Sequence, residues 1–112
     1  MDGLIVKQPF AGYIIEGRKK WEMRLRPPPA DKLNREIYLL SGGYALGKVK
    51  IVSYVGPLSR AAVLRTKRLH GGASSRYRYG WVVKVVWRFR KPVKYRHPWG
   101  AQVWVRGVKL LR

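Results

Sequence analysis

Gly17-Arg18-Lys19-Lys20-Trp21-Glu22-Met23-Arg24-Leu25-Arg26 is the stretch on which the reading of this chain turns. From Lys20 onward it alternates: Trp21, Met23 and Leu25 point one way, and Lys20, Glu22, Arg24 and Arg26 the other. That period predicts a half-buried strand with a charged outer face. Upstream, Gly3 to Lys7 reads as a short strand, and Gln8 and Pro9 open a helix, where proline is tolerated in the first turn. Phe10, Tyr13, Ile14 and Gly17 follow the spacing of one helix face, and Gly17 suits the left-handed residue that ends it. Downstream, Pro27-Pro28-Pro29 stops the strand.

The rest of the chain is mostly strand. Ala30 to Asn34 reads as a loop, Glu36 to Ser41 as a strand, Gly42-Gly43 as a turn and Gly47 to Val55 as a strand that Pro57 ends. Ser59 is placed to cap a short helix from Arg60 to Leu69. His70 to Ser75 reads as a flexible loop. Trp81 to Arg90 is the strongest strand, with Trp81, Val83, Val85, Trp87 and Phe89 on one face. A turn region with Pro92, Pro98 and Gly100 precedes a last strand from Gln102 to Val108. About six strands and two short helices, without regular βαβ alternation, give a mainly-β α+β fold. Closure into a barrel would remove the exposed edges of so apolar a strand set.

Length and charge narrow the function. The 112 residues carry 25 Lys and Arg against 5 Asp and Glu, a formal net charge of +20. One domain over residues 1–112 is expected, since two cores would each be near the lower limit of independent stability. Five Trp and seven Tyr exclude a disordered basic tail. The acids are Asp2, Glu16, Glu22, Asp31 and Glu36, so residues 37–112 contain none and carry +17. Such self-repulsion points to a polyanionic partner, nucleic acid before membrane. A merely basic hyperthermophile protein is the bland alternative, but those surfaces gain both signs in ion-pair networks. No apolar run can span a bilayer, Asp2 stands where a secretory signal carries bases, and there is no cysteine. An intracellular protein without membrane partner, disulfide or cofactor is expected. His70 and His97 alone make a weak metal set, so no metal is expected either.

Gly17 to Arg24 matches the pattern G-x-K-x-x-E-x-R and resembles the signature of the ASCH domain, a relative of the PUA domains. The surroundings agree: a strand and an aromatic-containing helix from Leu4 to Gly17, then Trp81 to Arg90, the turn Lys91-Pro92-Val93, and Trp99 to Trp104. The resemblance implies a small PUA-like β-barrel with a cleft beside the motif, and an association with RNA or other nucleic acid. Some bacterial members of the family deacylate a modified cytidine with a motif Lys, a motif Thr and a later Glu. Lys19 matches the first, Glu22 takes the Thr position, and no acid follows Glu36, so that activity is not carried over.

The candidate nucleic-acid contacts are Lys19, Lys20, Glu22, Arg24 and Arg26 at the motif, with Lys67, Arg68, Arg76, Tyr77, Arg78, Tyr79 and Trp99. Arginine and lysine can hold phosphates, and Tyr77 and Tyr79 interleave with arginines as stacking faces for unpaired bases. Ordinary strand tyrosines and basic residues complementing a helix C-terminus are equally available readings. Trp81, Trp87 and Trp104 read as core, and Trp99, in a turn, as exposed. The leading function is a nucleic-acid-binding module, RNA first and DNA second, because no helix is long and basic in the manner of a major-groove reader. A nucleic-acid-processing enzyme, either a ribonuclease or a modified-nucleoside amidohydrolase, is the second reading, with Lys19, Glu22, His70 and His97 as proton-transfer groups if they converge. A nonspecific DNA-binding or ribonucleoprotein structural component is the third.

Overall fold

The computed structural model describes residues 1–111. Strand β1 (Gly3–Ile5) leads into helix α1 (Phe10–Ile15), β2 (Trp21–Arg24) and a 3-10 turn (Ala30–Lys32). The hairpin β3 (Ile37–Ser41) and β4 (Tyr44–Val55) follows, then α2 (Arg60–Arg65), α3 (Lys67–His70), β5 (Tyr79–Lys94) and β6 (Trp104–Val105). The strands form one curled sheet in the order β2-β5-β4-β3-β1-β6. Every pairing is antiparallel except β1 with β3. The architecture is the expected mainly-β, PUA-like one with six strands, its sheet curled into a half-barrel, and it has three short helices rather than two.

Local chemistry accounts for the joints. Gly42 and Gly43, with φ of 58° and 87°, make the β3–β4 turn that side chains would strain. Ser59 caps α2 through Oγ, which accepts from the Ala62 N–H at 3.0 Å. The single helix expected over residues 60–69 breaks at Thr66, whose φ is −101°. Its hydroxyl donates to the Ala62 and Val63 carbonyls at 2.8 and 3.2 Å, ending α2 before α3 begins.

Two apolar clusters lie against the sheet. Leu4, Val6, Ile37, Leu39, Val49, Ile51, Trp81 and Val83 meet Ala11, Ile14 and Ile15 of α1 in the larger. Leu40, Ala45, Tyr95 and Val105 form the smaller. The Trp81 and Trp104 rings stack at 6.0 Å and 17°, joining β5 to β6 through the interior. No hydrogen-bonded ladder joins β2 to β6, so the sheet is not closed into the full barrel that edge removal would favour.

Four expectations about faces and boundaries are corrected. The alternation of β2 is present, but the expected charged outer face is buried too: Met23 and Glu22, on opposite sides of the strand, are both buried. Glu22 pairs across to Trp81 and Arg24 to Tyr79, so the charged residues share the face of a core tryptophan. Trp21 instead sits over Gly80, where a Cβ would crowd its ring, and α3 packs against this strand. Leu25 lies beyond the strand and is exposed. Trp87 is not core: it is 64% exposed. Val49 pairs with Val85 and Lys48 with Trp87, so Val86 is an extra residue that turns Trp87 onto the Lys48 face. Finally, β5 runs through Pro92 to Lys94 instead of turning there. Its pairing jumps from Gly47↔Arg88 to Ala45↔Val93, so Pro92 lies in a bulge where no ladder donor is needed. The last strand shrinks to Trp104–Val105, because Gly107 turns the chain at φ 56°.

Candidate nucleic-acid interface

A cleft of about 360 Å³ opens where β2 faces the end of β1 across the unclosed side of the sheet. Its walls are Ile5, Val6, Lys7 and Phe10, the segment Gly72, Ala73 and Ser74 with Tyr77, Met23 of β2, and Gln102 from the segment before β6. Lys19, Glu22 and Arg24 form its charged floor.

The floor is one network. The Lys19 ammonium lies 3.1 Å from Glu22 Oε1, and Arg24 Nε donates to Glu22 Oε2 at 2.9 Å. Arg24 Nη2 lies 2.8 Å from the same oxygen and donates to the Ile5 carbonyl at 3.0 Å. The side chains of Lys19 and Glu22 are only 3% and 9% exposed, and that of Arg24 is 21% exposed. Arg24 therefore fastens β2 to β1 where no ladder does. Helix geometry sets Lys19: Gly17, at φ 77°, ends α1, and the Lys19 N–H returns to the Tyr13 carbonyl at 3.0 Å. Its ammonium then lies 4.5 Å from the Phe10 ring centroid. Two cations against one anion leave the floor net positive. Among the described residues, no buried side-chain nitrogen or oxygen lacks a hydrogen-bond partner.

His70 holds the part of the wall formed by Gly72 and Ala73. It is 1% exposed, its Nε2 lies 2.7 Å from the Val63 carbonyl, and its Nδ1 accepts from the Gly72 and Ala73 N–H groups at 3.1 and 3.0 Å. Two donors at Nδ1 place the ring proton on Nε2. The segment 70–75 is thus pinned from within at Gly72 and Ala73, not the flexible loop expected from its glycines and serines. His97 stands elsewhere, with Nδ1 at 2.6 Å from the Tyr95 hydroxyl and Nε2 at 3.0 Å from the Ala101 carbonyl. Burial raises the Tyr95 phenol above its ordinary value. Neither histidine lines the cleft, so the four proton-transfer candidates do not converge. Among the described residues, no three His, Asp or Glu side chains gather as a metal set.

The cleft brings together Lys19, Glu22, Arg24 and Tyr77 of the candidates. Lys20 and Arg26 are exposed and do not line it, and the Arg26 carbonyl accepts from Trp81 Nε1 at 2.8 Å. Lys67 and Arg68 lie exposed on α3. The Arg76 guanidinium sits 5.4 Å from the Tyr77 ring centroid, at the rim. Arg78 is engaged structurally, donating from Nε to the Leu58 carbonyl at 2.6 Å. Tyr79 packs on the core and lies 6.3 Å from the Tyr54 ring. Trp99 is fully exposed in the loop before β6, outside the cleft wall. Sequence reading missed Phe10, which its helix spacing assigned to core, and Gln102 and the Ile5 carbonyl, which carry no sequence signal.

The family model of the ASCH domain matches residues 4–93 of the chain. Among curated proteins, a probable beta-1,4-xylosyltransferase of Arabidopsis thaliana is 32% identical over an alignment covering 83% of this chain and 20% of that protein. The chain therefore spans about a fifth of that relative's length.

Proposed function

The chain belongs to the ASCH domain family, and from that premise we propose that it is a nucleic-acid-binding module that takes unpaired RNA first and DNA second, with one base in the cleft. The observation that carries this reading is the buried Lys19–Glu22–Arg24 network at the floor of a cleft walled by Phe10 and Tyr77. At about 360 Å³ the cleft is at the small end of ligand pockets, which run from about 300 to 1,000 Å³. It suits a base-sized group rather than a helix. Glu22 Oε1, engaged by Lys19, keeps acceptor capacity for a base amino group, and Tyr77 at the rim offers a stacking face. Exposed Lys7 on the cleft wall and Arg76 against Tyr77 would hold the flanking phosphates, with exposed Lys20 and Arg26, which flank β2 in sequence, as further contacts.

Binding of labelled single-stranded RNA, single-stranded DNA and duplex DNA across a salt series tests this. Stacking on aromatics is worth about 1–3 kcal/mol per base, so Tyr77→Ala should weaken single-strand binding about fivefold or more. Tyr77 lies outside the buried network, so the substitution spares the floor. Steep, parallel salt dependence for all three ligands, with Tyr77→Ala indistinguishable from the parent, overturns the cleft reading.

A further inference from the structure

The far end of β5 carries a second surface that the cleft does not use. Trp87 is 64% exposed there, turned outward by the Val86 bulge. Beyond it the pairing with β4 skips, and residues 89–92, between the paired Arg88 and Val93, bow away from the ladder. A groove of about 630 Å³ lies between this bowed segment and Leu110 and Leu111. Arg88, Arg90, Lys91 and Lys94 line it, all exposed. No acid follows Glu36 in the sequence, and the ion pairs among the described residues all involve Asp2, Glu16, Glu22 or Asp31. Among the described residues these four cations therefore have no carboxylate partner. Lys48 shares the Trp87 face. The long β4–β5 ribbon also makes the molecule elongated, at 44 × 26 × 24 Å.

An exposed indole costs free energy in water unless something covers it, and crowded unpaired cations repel one another. A polyanion with flat apolar faces relieves both. We propose that this end of the β4–β5 ribbon is a second nucleic-acid contact, in which Trp87 stacks on an unpaired base and Arg88, Arg90, Lys91 and Lys94 hold the adjoining phosphates. The cleft's Tyr77 lies just before the first residue of β5 and the groove at its last, so one strand can lie along β5 and meet both. The inference rests on the nucleic-acid reading but not on base capture by the cleft.

The test uses the whole chain and labelled single-stranded RNA and DNA of the same sequence, long enough to reach both surfaces, over a salt series. Each phosphate contact contributes about 0.7 to the slope of log K against log salt for single strands. Arg88→Ala/Arg90→Ala/Lys91→Ala should therefore flatten the slope by about 2. Arg35→Ala/Arg60→Ala/Arg65→Ala removes the same charge from exposed positions elsewhere and should flatten it far less. Trp87→Ala should weaken binding at least about fivefold by losing one stacked base, without change in melting temperature. Equal slopes for the two triple variants, or an inert Trp87→Ala, overturns the second contact. If Tyr77→Ala alone weakens binding, the cleft stands and the ribbon surface falls; if the ribbon variants alone do so, the reverse holds. If the unaltered protein binds neither strand, the nucleic-acid reading falls with both. Unchanged RNA binding with a Trp87→Ala shift in sedimentation assigns the surface to contact between copies and overturns the proposal.

Discussion

Glu22 is the residue on which the motif depends. It is the shared counter-ion of two cations that would otherwise repel each other in a poorly solvated place. Removing one partner of a buried ion pair leaves an uncompensated charge, which typically costs about 3–5 kcal/mol. Glu22→Ala should therefore lose stability on that scale in denaturant unfolding, and Arg24 should lose its grip on the Ile5 carbonyl. A loss below 1 kcal/mol, roughly that of a surface pair, would show that water enters the floor freely. The sequence displayed these residues plainly, since Lys19, Glu22 and Arg24 stand within six positions. It did not display their burial. A charged alternation ordinarily faces solvent, and here it faces an open side of the sheet that only the fold creates.

Two elements hold the cleft in shape. The wall at Gly72 and Ala73 depends on His70, whose ring replaces the partners a loop backbone would otherwise seek in water. His70→Ala should speed amide hydrogen exchange at both glycine and alanine while exchange in β4 stays slow. Unchanged protection would mean that the wall is held by other contacts. The other clip is Asp2, which accepts from Lys32 Nζ at 2.7 Å and from the Gly107 N–H at 3.0 Å. It ties β1 to the 3-10 turn and to the segment after β6. The hydrogen bond from Lys32 and then that from Gly107 hold its carboxyl below the ordinary value. A lowered folded value means that the stabilisation is complete above the unfolded value of about 3.9 and is lost as pH falls through the folded one. Asp2→Asn should remove that part of the acid limb from a pH series of melting temperatures. An identical limb would place the acid sensitivity in other carboxylates. At this scale the sequence showed the Ser59 cap and the Gly42-Gly43 turn, whose causes are local. It hid the bulge at Val86, because a strict period of two carries no mark of an inserted residue.

For the molecule as a whole, charge dominates. With +20 over 112 residues and only 5 acids, repulsion far outweighs attraction between side chains. Added salt screens exposed charges over a Debye length of about 10 Å at 0.1 M. The melting temperature should therefore rise with sodium chloride even as affinity for nucleic acid falls. A melting temperature that drops with salt would mean that the few ion pairs, chiefly the Glu22 network, contribute more than the surface repulsion removes.

The sequence by itself determined the mainly-β architecture, the helix that ends at Gly17, the family motif and the polyanion-seeking charge. These follow from periodicity, turn residues and composition, which act over a few neighbours or over the whole chain at once. Tertiary structure alone decided that the charged face of β2 is buried, that Arg24 bridges β2 and β1, and that Trp87 lies in the open. Each depends on residues far apart in sequence meeting, or on a register step between strands. Neither is encoded in any local pattern: the side a strand buries is chosen by what the rest of the chain brings against it.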